Sequence, residues 1–238
     1  MNPFLESLES EIALKWKDLL KKSELSTLVM SGEFDIRLYG LYLLETYQYT
    51  LHNSRNQALV GAKLDPLADI QYLKFCLKHA YEEAGHELMA LHDLKALGSV
   101  TIPTPIPQPM PATEVLIAYL YRISETGNLK ARLGYSLWAE DAYVHIAPLL
   151  GAVQKKLSLK PSQMTFLGEH SNIDADHIKD VRDMIKRVAK TDDDRDAIRR
   201  VSLTSLELTG SMLDNMASEY RLLENGKSLK YEFLNTLL

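Results

Sequence analysis

The chain has 238 residues, 46% hydrophobic and 25% charged, with a formal charge of −5. These values suit one large folded domain and exclude disordered or collagen-like chains. The acidic balance, without any basic block, argues against sequence-independent nucleic-acid binding, and the single cysteine, Cys76, excludes an intrachain disulfide and a thiolate zinc cluster.

In chain order, the first apolar-periodic stretch predicts a helix over 4–22. Pro3 stands at its start behind Asn2, a capping residue before a proline whose missing N–H costs nothing at the first helical position. Two glutamates precede any apolar run, unlike a secretory signal. A short turn is expected over 24–30, and residues 1–30 read as an N-terminal helical extension. A long helix runs from after Ser31 to 63, with a break near Asn53. The next covers 66–97, opening on Asp65-Pro66 and stopping at Gly98. Five prolines at 103, 105, 107, 109 and 111 make 102–111 an extended strap, a rigid connector rather than a ligand for a proline-binding domain. Helices follow over 113–125, ending at Gly127, and over 128–155, with a kink expected at Pro148. A short helix after Pro161 and another over 171–190 come next. The last begins at Thr191, whose hydroxyl caps a first turn carrying Asp192, Asp193 and Asp194 at the positive end of the helix dipole. It ends near Asn225-Gly226, and 225–238 is a C-terminal tail. The densest apolar stretch, 115–121, is far short of the roughly 20 residues that span a bilayer. The expectation is a cytoplasmic, all-α, single-domain helical bundle over 1–238 that partners neither membrane nor nucleic acid.

Three segments carry residues suited to metal chemistry. In 168–177, His170, Asp174 and His177 are spaced i, i+4, i+7, so two imidazoles and a carboxylate share one helical stripe while Asp176 projects away from it. In 79–86, Glu83 and His86 have the Glu-x-x-His spacing of bundle-type di-iron sites. His79 shares their face as a supporting group, and Glu82 is close enough to that face to replace Glu83. In 137–143, Glu140 sits in a mainly apolar helix, where a metal would offset the cost of burying a carboxylate. Tyr143, one turn on, is placed to line the same pocket, whereas Asp141 and His145 fall on other faces. Each segment alone also reads as a solvated helix face, and Cys76 alone as a small core residue. Together, three helices supply three carboxylates and three histidines, enough for two ions with open positions.

On these residues the chain resembles the heme-oxygenase-like helical superfamily, which includes TenA-type thiaminases, the PqqC-type oxidase and the heme-oxygenase-like di-iron oxidases. The resemblance runs from about residue 31 to 223 and rests on helix order, on the segment HAYEEAGHELMALHDLKALG (79–98) and on the His-x3-Asp-x2-His segment. That last motif is similar to the third-helix metal motif of the di-iron oxidases and of the chlamydial death-domain-associated protein group. The resemblance implies metal ligands at Glu83, His86, Glu140, His170, Asp174 and His177. It implies two iron ions, the second weakly held, with manganese as an alternative and no heme, since the 4–22 helix lacks the axial histidine of heme oxygenases. The implied activity is O2 activation on a small organic substrate. The implied alternatives are a TenA-type thiaminase-like hydrolase, which would need a cysteine where Glu140 stands, and a non-catalytic helical binding protein. Relatives of this type often form dimers, which implies a homodimer.

Overall fold

The computed structural model describes residues 2–67 and 69–238, and the side chains of 169–175 lie outside that description. Among the described residues there are helices and short 3-10 turns and no strand. The helices are α1 (Pro3–Lys22), α2 (Glu24–Ser31), α3 (Ile36–Thr50), α4 (Asn53–Lys63), α5 (Ile70–Glu83), α6 (His86–Ala96), α7 (Pro111–Glu125), α8 (Arg132–Ala139), α9 (Ala142–Leu157), α10 (Thr165–Val188) and α11 (Asp192–Glu224).

Local chemistry sets most boundaries. The Asn2 side chain accepts from Leu5 N with Pro3 at the first helical position, and α1 buries Leu5, Leu8, Ile12 and Trp16 on one stripe. The segment expected as a turn over 24–30 is instead the two-turn helix α2. Ser23 caps it at one end and Gly32, in the left-handed conformation at φ 74°, closes the other. Asp65 accepts from Leu67 N and closes a turn, so the next helix starts at Ile70, capped by Asp69, and not at Pro66. Thr191 and Asp194 form a reciprocal capping box at the start of α11. Pro148 lies inside α9, which continues through it.

The 33-residue α11 is the axis of the bundle. It packs against α1, α2, α3, α7 and α8, while α3 lies on α6, α4 on α5, and α10 on α6 and α8. The buried apolar side chains of these helices form one cluster that also takes in Tyr231 and Leu234 of the C-terminal segment. The strap lies against α3, where Gln48 Nε2 donates to the Pro107 carbonyl and the buried Glu45 carboxylate accepts from Met110 N and Tyr231 Oη. No helix among the described residues is long and apolar enough to cross a membrane.

Candidate metal centre

Two helix breaks build the centre. The sequence predicts one helix through 66–97, but the chain leaves α5 at Glu83, extends at Ala84, and turns at Gly85 with φ 103° before α6 starts at His86. Only glycine takes that conformation without strain. Glu83 and His86 are therefore not stacked on one continuous helix; the turn folds His86 back so that its Nδ1 lies 3.4 Å from Glu83 Oε1. The second break divides the helix expected over 128–155. Glu140 caps the end of α8 and Asp141 precedes α9, so Glu140 occupies a corner between two helices.

The third side wall is α10, which starts at Thr165 rather than near 171. Its N-terminus is held from outside. Asp93 on α6, fully buried, accepts from Thr165 N and Oγ1 through Oδ1 and from Phe166 N through Oδ2. A carboxylate at exposed helix N–H groups is favoured by both hydrogen bonding and the helix dipole. This cap fixes where along α6 the helix bearing His177 begins.

His79, Glu83, Glu140 and His177 converge. One ligand atom from each lies within 4.8 Å of all the others. His79 Nε2 is 3.0 Å from Glu140 Oε1, and His177 Nδ1 is 3.3 Å from Glu140 Oε2 and 3.6 Å from Glu83 Oε1. His177 Nε2 faces Glu82 Oε2 at 3.6 Å, and Glu82 also approaches Lys78. Glu83 is thus inside the cluster, while the half-buried Glu82 stands on the far side of His177, facing its other ring nitrogen. Of the six ligands implied by the sequence, Glu83, Glu140 and His177 meet and His86 adjoins them through Glu83. His170 and Asp174 lie outside the described residues. The group that sequence reasoning undervalued is His79, treated as support but standing inside the cluster. Its signal was the i, i+4 spacing to Glu83 on α5.

The electrostatics of the cluster follow from these contacts. Burial works to raise the Glu140 pKa, but the hydrogen bonds and positive charge of His177 and His79 outweigh it and hold this carboxyl well below the usual carboxylate range. The Glu140 carboxylate, 3.3 Å from Nδ1, pushes His177 up to about 9 despite burial, with help from the charges of Glu83 and Glu82. The Glu83 carboxylate, 3.4 Å from its Nδ1, likewise raises the His86 pKa. His79 Nδ1 is buried with no hydrogen-bond partner. Two neutral imidazoles and two carboxylates at this spacing fit a borderline divalent metal such as iron or manganese. Ligands about 2.1 Å from one ion sit roughly 3–4 Å apart, close to the separations here.

A cavity of about 100 Å³ opens beside the centre, lined by Glu83, Glu140, Tyr49, Tyr135, Tyr143 and Phe166 among others. Tyr143 lines this cavity from the first turn of α9, beyond the break that separates it from Glu140. An apolar cavity of about 60 Å³ shares Tyr42 and Ile146 with it and continues to Leu38, Leu149 and Leu213. On the outer side, a groove of about 270 Å³ shares Tyr143 and Leu167 with the central cavity.

Comparison with known proteins agrees with this architecture. The chain is similar over 97% of its length to 97% of a domain of unknown function with a heme oxygenase-like fold from Shewanella denitrificans OS217, with 44% identity and a TM-score of 0.91. A TenA homologue from Pyrococcus horikoshii OT3 shares the fold at 15% identity and a TM-score of 0.69, covering 90% of this chain and 98% of that one. A TenA homologue from Pseudomonas syringae pv. tomato DC3000 does so at 13% identity and a TM-score of 0.72, covering 91% and 93%. No curated protein matches the chain. A family model described as "Iron-containing redox enzyme" matches residues 41–210, so the chain belongs to that family and has a heme-oxygenase-like fold.

Proposed function

We propose that the chain is a non-heme iron oxidoreductase that activates O2 on a small organic substrate. The reading rests on one observation: buried carboxylates and imidazoles from α5, the α8–α9 corner and α10 lie within 4.8 Å of one another. His79, Glu83, Glu140 and His177 would hold the first iron. His86, with His170 and Asp174 from the sequence motif, would supply a second, more weakly held one; manganese is the alternative metal. Iron bound there would supply the redox chemistry and open positions for O2 and substrate.

The chain's own residues perform the rest. Glu82 faces the outward nitrogen of His177 and keeps its other nitrogen turned inward. Tyr49, Tyr135 and Tyr143 surround the cavity with aromatic faces that exclude bulk water and carry hydroxyls for orienting a polar group. The adjoining space behind Tyr42 and Ile146 is wholly apolar. A substrate with its polar end toward Glu83 and Glu140 and its apolar part in that space matches the lining.

The TenA-type hydrolase reading is weaker. Cys76 is fully buried, burial pushes its thiol up to about 12, and it does not line the cavity. The reactive thiolate is thus disfavoured. The test is anaerobic loading with Fe(II) followed by O2 uptake. Wild type should bind iron and consume O2, and His177→Ala and Glu140→Gln should lose at least tenfold in iron affinity. Equal iron binding by wild type and both variants would overturn the assignment.

A further inference from the structure

Arg132 opens α8 and is 2% exposed. Among the described residues its guanidinium makes one hydrogen bond, Nη1 to Ser136 Oγ at 2.8 Å, and it lies 4.4 Å above the centre of the Tyr135 ring. Its Nε is buried without a partner. Among the described residues no carboxylate lies within ion-pairing distance of it. An arginine does not shed its proton, so a full positive charge stands in the core without a contacting counter-ion, which is costly unless a compensating field exists.

The helix shows where that field originates. The guanidinium reaches forward to Ser136, one turn before Glu140 on the same face of α8 and roughly 6 Å from it along the axis. The intervening wall is Tyr135, which carries the guanidinium on its face and also lines the cavity with Glu83 and Glu140. On the cavity side of that ring stand the Glu83 and Glu140 carboxylates, with Glu82 beyond His177 and shared with Lys78. We propose that Arg132 is the fixed counter-charge of this carboxylate-rich centre, a positioning residue that sets how tightly the centre holds a cation without touching it. The metal half of this inference rests on the reading of the centre as a metal site.

The sign of the effect separates this role from a structural one. Removing a positive charge beside a cation site tightens cation binding, whereas loosening the fold weakens it. Titration with Mn2+ alone, at fixed pH and ionic strength, should show Arg132→Met and Arg132→Gln binding about tenfold more tightly than wild type. The glutamine can still donate to Ser136 Oγ, so it carries the comparison if the methionine variant fails to fold. A metal-free double-mutant cycle between Arg132→Gln and Glu140→Gln, read by urea unfolding, should show that losing the Glu140 charge costs less once Arg132 is gone. Unchanged or weaker Mn2+ affinity in both arginine variants, or additive unfolding effects, overturns the counter-charge. Absence of Mn2+ binding in wild type with the coupling intact supports the counter-charge and overturns the metal reading alone.

Discussion

His177 stands between three carboxylates, and two of them, Glu83 and Glu140, are ones a metal would use. In the metal-free chain its pKa rises from 6.5 to about 9, so the stability it contributes is fully present below pH 6.5 and is lost as the pH climbs through 9. Glu140 shifts the other way. Its contribution is present above 4.5 and is lost as the pH falls through its lowered value. Metal-free stability should therefore be greatest between about pH 4.5 and 6.5 and decline toward pH 9. Urea unfolding at several pH values should show that decline in wild type and a much flatter alkaline limb in His177→Gln. The sequence made the imidazoles and carboxylates visible as candidates because spacing puts them on helix faces. It did not rank His79 above His86, because rank depends on where the chain breaks between Glu83 and His86, and one glycine in Ala84-Gly85 does not announce a turn.

Elements locate these residues through contacts between helices that are distant in sequence. Asp93 is buried on α6, and its carboxylate satisfies three donors at the start of α10. Asp93→Ala leaves two buried N–H groups without acceptors and should cost about 3 kcal/mol, with iron affinity falling because α10 loses its fixed start; chemical denaturation and metal titration check both. α8 is placed by close approach. A Cβ on Gly134 would stand 2.2 Å from the Ile198 carbonyl oxygen and 2.8 Å from Ser202 N on α11, and Ser202 Oγ donates to the Gly134 carbonyl. Gly134→Ala should therefore destabilise the fold by about 3 kcal/mol or more, measured as a lower urea midpoint. Such contacts explain which boundaries were legible. Local caps, such as Asn2 on α1 and Thr191 on α11, were readable in the sequence. The start of α10 was not, since its cap comes from Asp93, 72 residues earlier.

At the scale of the molecule, helices with different main packing partners meet at the centre. α5 packs mainly on α4, α8 on α11, and α10 on α6 and α8. Helical periodicity and the absence of alternating stretches were enough to read a helical bundle, but which helix lies on which follows from side-chain fit that one sequence does not display. A cation at the centre would join α5, the α8–α9 corner and α10 by coordination as well as by apolar contact. Because the ligands converge only when these helices are docked, an ion binds the folded chain far better than the unfolded one, and binding free energy becomes folding free energy. At a free metal concentration 100 times the Kd, the gain is about 2.7 kcal/mol. For a chain of this size that raises Tm by roughly 5–10 °C. Differential scanning calorimetry of the chelator-treated chain, with and without Mn2+ under anaerobic conditions, should show that rise. Glu140→Gln and His177→Ala should abolish it, while Glu45→Gln, which loosens the strap and C-terminal segment away from the ligands, should lower Tm in both states and leave the metal-induced increment intact. Loss of the increment in Glu45→Gln would mean instead that the strap and the centre form one cooperative unit.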